Sequence, residues 1–362
     1  MKKNWLSFKW FWKTAFICTI LVLTTGCPKK QDDSHALKII CSTFPCYDAA
    51  RAVLGSCVGN KASLSLLVKP GAEVHSFDPS PADIIAIQKS DLFVFIGGES
   101  DEWIRRILNS ADGMSNGKGK TKFLKLMDFV STIEERDFEN SFESGFESGF
   151  DAALHRENAF EDGGNREHRG NHENLENPKN PHEADEHIWT SPENELKIMN
   201  AVCSALCEIA EKKGLSNLPK LFSENTDAYS LLVENVDDAI KGVVNAAEEK
   251  YIVMADRFPF AYFAEYYGLD YDAAFHGCST AVEASAATIS RLVDAVNDRK
   301  LPAVFYIELG NHKIADVIAE ACGVEAILLQ SIQNVTKDDF ENNETWVSLM
   351  KKNAFALERG LR

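Results

Sequence analysis

The sequence predicts an α/β fold of two lobes with parallel-type sheets, joined by a long rigid helix. Three observations lead to it. Short β-branched and aromatic runs alternate with helical patterns over residues 37–127, the alternation restarts at Tyr251, and a long helical periodicity lies between the two stretches. Strands that alternate with helices are joined by crossovers, and crossovers build parallel sheets.

In the first half the strand candidates are Leu37–Phe44, Leu64–Val68, Asp91–Ile96 and Lys122–Met127. Helical patterns fall at Cys46–Leu54, Pro81–Lys89 and Glu102–Asn109. Residues 137–186 then break the alternation. They are almost free of aliphatic side chains, carry His155, His168, His172 and His182, and contain the duplication Ser-Phe-Glu-Ser-Gly-Phe-Glu-Ser-Gly-Phe at 141–150. Such a composition cannot bury a core and reads as a mobile polar loop. Helical patterns resume at 193–213 and at 219–249, the second with Leu221, Ala228, Leu231, Leu232, Val236, Ala239, Ile240 and Val243 near helical spacing. In the second half, strand candidates Tyr251–Ala255, Ala303–Glu308 and Ala326–Leu329 alternate with helices Phe260–Tyr267, Ala281–Asn297 and Lys313–Ala321. The expected organisation is a first lobe at 37–217, a linking helix at 218–249 and a second lobe at 250–358. Ligands of open α/β sheets sit beyond the strand carboxyl ends, which in a two-lobe protein is the zone between the lobes.

The N-terminus sets the expected compartment. Lys2, Lys3, Lys9 and Lys13 precede an apolar run from Ala15 to Leu23, followed by Thr24-Thr25-Gly26-Cys27. The run is short of the ~20 residues a membrane helix needs, and the pattern is that of a secretory signal. Gly26-Cys27 resembles the lipobox of bacterial lipoproteins. That resemblance implies a signal peptide over 1–26, cleavage before Cys27, a lipid on that cysteine and a polar tether over 27–36. Without residues 1–26, which hold four lysines and no acid, the formal charge falls from −17 to −21. So acidic a chain argues against nucleic acid as a partner and suits the attraction of cations.

Seven cysteines follow Cys27: Cys41, Cys46, Cys57, Cys203, Cys207, Cys278 and Cys322. An odd number leaves at least one outside any intramolecular bridge. Cys41, Cys203, Cys207 and Cys322 read as buried packing, because cysteine behaves as a small apolar residue. A Cys46–Cys57 bridge stays open.

Two histidines stand in distinctive contexts. The first is Gly71-Ala-Glu-Val-His75-Ser-Phe-Asp-Pro-Ser-Pro-Ala-Asp83, the second Asp185-Glu-His187-Ile-Trp-Thr-Ser-Pro192. Imidazole is the commonest protein ligand of transition metals. With an export signal and a His-bearing insert, the pair points to capture of such a metal outside the cytoplasm.

Both strings, together with Phe260-Ala-Tyr-Phe-Ala-Glu-Tyr-Tyr-Gly-Leu269, resemble the metal-binding solute receptors of bacterial ABC importers, in particular their zinc branch. The likeness runs from residue 37 to about 355 in the same order. It implies two α/β lobes, a rigid linking helix and one metal between the lobes. It also implies His75 and His187 as ligands, Trp189 packing beneath the site, Zn²⁺ as the transported ion, and a membrane permease as the partner.

The second lobe departs from that pattern. The place of the third ligand holds Asp256-Arg257-Phe258, and a guanidinium cannot ligate a cation. The late loop Gln330–Val335, with Asn334 at the place of the fourth ligand, has no acid, His or Cys. The substitute offered is Phe275-His276-Gly277-Cys278-Ser279, where Gly277 permits the bend that would bring His276 and Cys278 together. Mixed N and S donors suit zinc. The expected metal ligands are therefore His75, His187, His276 and Cys278, with Glu308 in reserve as an oxygen donor or as an acid that orients a ligand.

Other function classes compete. A manganese or other divalent-metal receptor of the same family would share the fold, and an adhesin-type surface lipoprotein would share the anchor. A zinc hydrolase would need an open coordination position and a base. Neither His-Glu-x-x-His nor Gly-x-Ser-x-Gly occurs in the chain. The sequence thus predicts a receptor and not an enzyme.

Overall fold

Each half of the chain lays down four parallel strands in the same spatial order. The structure is a computed structural model that describes residues 37–105, 121–134, 184–279 and 283–362. The expected signal and tether, the four insert histidines and the end of the Glu102–Asn109 helix lie outside the described residues.

The first sheet holds β1 (Leu37–Cys41), β2 (Ala62–Leu66), β3 (Leu92–Phe95) and β4 (Lys122–Lys125), ordered β2-β1-β3-β4. Ile39 is in register with Leu64 on one side and Leu92 on the other. The second sheet holds β5 (Tyr251–Phe258), β6 (Asp270–His276), β7 (Ala303–Tyr306) and β8 (Glu325–Leu328), ordered β6-β5-β7-β8. These are two parallel sheets with flanking helices, as expected. In each, strand order reverses beside the first strand, so a crevice opens at the carboxyl ends of β1 and β3 and of β5 and β7.

Strand β6 shows in the sequence only as a candidate strand region ending at Phe275-His276, with no start assigned. Its Asp270 and Asp272 disguise it, and both are tolerable because β6 is an edge strand. Asp272 is neutralised by an ion pair with Arg291.

The helices follow the apolar pattern, with local stops and starts. They are α1 (Phe44–Leu54), α2 (Pro81–Gln88), α3 (Pro192–Lys212), α4 (Leu218–Ala246), α5 (Ala261–Tyr267), α6 (Ala286–Arg299), α7 (Lys313–Cys322), α8 (Lys337–Glu341) and α9 (Trp346–Gly360). Helix α2 opens on a reciprocal cap in which Ser80 and Asp83 each accept from the other's backbone N–H. Helix α4 has 29 residues and is about 43 Å long. Its buried stripe is Leu218, Phe222, Thr226, Val233, Val236, Ile240 and Val244, while Leu231 and Leu232 are exposed. The adjacent leucines cannot both face the core, and the stripe runs past them through Val233.

One apolar cluster runs continuously from Leu37 and Val94 through α3 and α4 to Phe305 and Leu357, so the two halves share a core. The outer face of each sheet has its own smaller cluster: Ile87, Phe93 and Trp103 in the first, Val253, Val304, Leu292 and Ile318 in the second. Helix α9 ties the halves together. At its start Trp346 donates its backbone N–H to Asp48 (2.6 Å) and its indole N–H to the Trp189 carbonyl (2.8 Å). At its end Gly360 lies against Phe305 of β7 so closely that a Cβ would stand 2.2 Å from the ring. The described cysteines form no disulfide. Cys46, one half of the bridge left open above, instead accepts from the Thr43 hydroxyl at 3.7 Å.

Candidate metal centre

Every side chain of interest comes from a segment beyond a strand carboxyl end or from the chain leading into α3. His75 lies in the loop after β2, Ser100 follows β3, Glu186 and His187 precede α3, Cys278 follows β6 and Gln333 follows β8. His75, Glu186, His187 and Cys278 each offer a donor atom, and the four atoms lie within 4.8 Å of one another. Three of them, His75, His187 and Cys278, are expected ligands. His276, the last residue of β6, is not among the four, and neither is Glu308. All four are sheltered: the side chains of His75, Glu186 and His187 are 5 %, 3 % and 0 % exposed, and Cys278 is 7 % exposed.

Each imidazole is oriented by a second group. His187 Nδ1 lies 3.0 Å from Asp185 Oδ1, which also accepts the His187 backbone N–H at 2.7 Å. That contact fixes the tautomer with the proton on Nδ1 and leaves Nε2 as the nitrogen with a lone pair. The Trp189 ring meets the His187 ring edge-on at 5.3 Å, beneath the site as expected. His75 Nδ1 lies 3.0 Å from Ser100 Oγ, whose hydroxyl donates to Glu186 Oε1. The Ser100 backbone N–H donates to Glu186 Oε2 at 2.9 Å. Ser100 thus holds both His75 and Glu186. Burial keeps the His75 imidazole below its ordinary pKa, against the pull of the Glu186 carboxylate.

Glycine makes room for Glu186. A Cβ on Gly98 would stand 2.2 Å from the Glu186 Cβ and 2.4 Å from Oε2. Glu186 and Ser100 were missed as site residues. The signal for Glu186 was its place beside His187, and nothing short of the fold brings Ser100 to both of its partners.

The positions where the family resemblance places second-lobe ligands do other work. Arg257 pairs with Glu73 at 3.3 Å, across the two halves. Burial pushes Glu73 up, but the Arg257 guanidinium together with the His75 backbone N–H and imidazole holds the carboxyl below its ordinary range. The Asn334 amide donates to the carbonyls of Lys69 (2.9 Å) and Ala72 (2.8 Å), also across the halves. Glu308 accepts from Ser331 N–H and Oγ, both at 2.6 Å, and from Ile332 N–H at 2.9 Å. It holds the 330–335 loop and bonds none of the four clustered residues, and burial pushes its carboxyl up to about 7.

The family of zinc-uptake complex component A, periplasmic, matches residues 39–360. The chain belongs to that family. Among its curated relatives, the zinc-binding lipoprotein AdcA of Streptococcus pneumoniae is 25% identical over 346 residues, 95% of this chain and 59% of AdcA. The chain therefore spans about 59% of that relative's length. The high-affinity zinc uptake system protein ZnuA of Bacillus subtilis is 25% identical over 358 residues, 97% of this chain and 98% of ZnuA. Among solved structures, the Zn(II)-bound ZnuA-like domain of the S. pneumoniae AdcA superposes with a TM-score of 0.65 at 23% identity, covering 90% of this chain and 99% of that domain. The chain thereby shares the fold of these relatives, two α/β lobes.

Proposed function

We propose that this chain captures Zn²⁺ outside the cytoplasm and delivers it to an ABC-type importer, with His75, Glu186, His187 and Cys278 as the ligands. The observation that carries this reading is the meeting of four donor atoms within 4.8 Å in a sheltered cleft. Two imidazoles, one carboxylate and one thiol are a chemically ordinary zinc set. A carboxylate and a thiolate together balance the charge of Zn²⁺, which matters in a site with little water to solvate an excess charge. Four protein donors leave no open position for a reacting water, so the arrangement suits holding and release rather than turnover. The names of the relatives, a zinc-binding lipoprotein and a zinc uptake protein, support zinc as the cargo and an importer as the partner. Lipid on Cys27 would keep the receptor beside that importer.

Capture begins from neutral imidazoles. Burial already disfavours the imidazolium of His75, and Asp185 and Ser100 preset the ring orientations. Cys278 must lose its proton, so affinity weakens in acid. The test is Cys278→Ser. We expect zinc affinity to drop by about a hundredfold or more, on the scale of one donor in a site worth ~10–16 kcal/mol. We also expect zinc to protect Cys278 of the wild type from alkylation. Unchanged affinity, with alkylation indifferent to zinc, would remove Cys278 from the site.

A further inference from the structure

The Gln333 carboxamide already hydrogen-bonds two of the four clustered residues. Its Nε2 lies 3.1 Å from His75 Nε2 and 3.4 Å from Glu186 Oε1. The carboxylate accepts and cannot donate, so the end of the amide facing it is the NH₂ group. That NH₂ therefore donates to the imidazole lone pair as well. The His75 proton is then on Nδ1, donating to Ser100 Oγ, which donates onward to Glu186. Gln333, His75, Ser100 and Glu186 form a closed ring of hydrogen bonds in which the amide NH₂ stands between His75 Nε2 and Glu186 Oε1.

Gln333 is held there by its loop. It is 8% exposed, and its backbone N–H donates to Ser331 Oγ at 3.2 Å. Ser331 is clamped by Glu308, and its carbonyl accepts the Trp189 indole N–H at 2.8 Å. The preceding residue, Ile332, sits at φ 62°, a left-handed conformation that a β-branched side chain adopts only under constraint. Leu309, next to Glu308, has φ 61°. The clamp thus holds two non-glycine residues in the left-handed region to present Gln333 to the cluster.

We propose that Gln333 is a placeholder that competes with the cation: its NH₂ bridges His75 Nε2 and Glu186 Oε1, and must leave both for a metal to bind them. One lone pair cannot serve an amide hydrogen and a metal at once. The competition sets affinity and exchange rate, so that the site binds less tightly and releases faster than its four ligands alone would dictate. This inference rests on the ligand assignment above.

Gln333→Leu keeps the bulk and removes the hydrogen bonds. Net hydrogen bonds are individually modest, so losing two competing bonds tightens binding roughly tenfold. Competition titration with a zinc chelator should show the variant about tenfold tighter than wild type, with slower loss of zinc to excess chelator. Nitrogen NMR of the metal-free proteins is the second arm: the His75 Nε2 resonance should move in the variant. Gln333→Asn, one methylene too short to bridge, repeats both measurements if the leucine variant does not fold. Unchanged or weaker zinc affinity overturns the proposal, weaker affinity making Gln333 a ligand or a strut. An unmoved His75 resonance overturns it independently of zinc. If instead Cys278→Ser keeps wild-type zinc affinity, it is the ligand assignment that fails, and the NMR arm still decides whether the amide bonds His75.

Discussion

Glu186→Gln is the sharpest test of the ligand set, because the substitution keeps shape and removes charge. Two losses follow. The first is the anionic donor. Structural-type zinc sites hold ~10–16 kcal/mol over four ligands, so one donor represents about 3 kcal/mol, or roughly a hundredfold in affinity. The second is local. Both carboxylate oxygens accept from Ser100, from its N–H at 2.9 Å and from its hydroxyl. An amide has a single oxygen, so either the Ser100 N–H or the Ser100 hydroxyl would then face an NH₂ group. The orientation of His75 through Ser100 loosens with it. Ser100→Ala is the control: it removes the positioning but leaves all four donors, and should cost about tenfold, the lower end for groups that orient a ligand. The assay is competition with a chelator of known zinc affinity, paired with Co²⁺ substitution to read donor number from the absorption spectrum. The expected order of affinity is wild type, then Ser100→Ala, then Glu186→Gln. If Glu186→Gln binds within threefold of wild type, or more tightly than Ser100→Ala, Glu186 is a bystander and the fourth donor lies elsewhere.

The remaining expectations are simpler. Burial raises the Glu308 carboxyl from its ordinary 4.5 to about 7. A raised folded pKa means the stabilising contribution is complete below about 4.5 and is lost as pH rises through about 7. Relative to Glu308→Gln, wild-type stability should therefore fall by about 3 kcal/mol across that window in thermal unfolding of the metal-free protein, and a pH-independent difference would contradict the assignment. At the other end of the chain, Cys27→Ala should move the protein from the detergent phase to the aqueous phase on phase separation; persistence in detergent would rule out lipid on that cysteine.

Much of the fold was legible because its signals are local. Seven of the eight strands show as apolar runs, and the prolines at 45, 81, 192 and 219 lie in the first turns of α1 to α4. Strand β6 was legible only at its end, because an edge strand needs no continuous apolar run and its two aspartates hide the pattern. The buried face of α4 differs for a related reason: hydrophobicity alone put Leu231 and Leu232 on the stripe, but both are exposed and Val233 is buried. At the site, His75, His187 and Cys278 carry motif-scale signals. Glu186, Ser100 and Gln333 are ordinary polar residues whose roles arise only where four strand ends and the chain before α3 meet.

The departures at Arg257 and Asn334 take on meaning from that meeting. Both side chains reach across the halves, one to Glu73 and the other to the carbonyls of Lys69 and Ala72. The backbone adds Gly71 N–H to the Val335 carbonyl at 2.8 Å, and the Trp189 indole adds its bond to Ser331. These are bonds of protein to protein. Of the four clustered donors, Cys278 is the one supplied by the second half. A ligand shifts a conformational equilibrium only by its difference in affinity for the two states. With the halves already joined by the shared core, α4 and these bonds, the binding energy that zinc could direct into bringing them together runs through the Cys278 thiolate. The contact that zinc would have to undo in the proposed site is smaller and closer, the Gln333 bridge between His75 and Glu186. The movement that accompanies capture is therefore expected in the clamped 330–335 loop, and not in a hinge between the lobes.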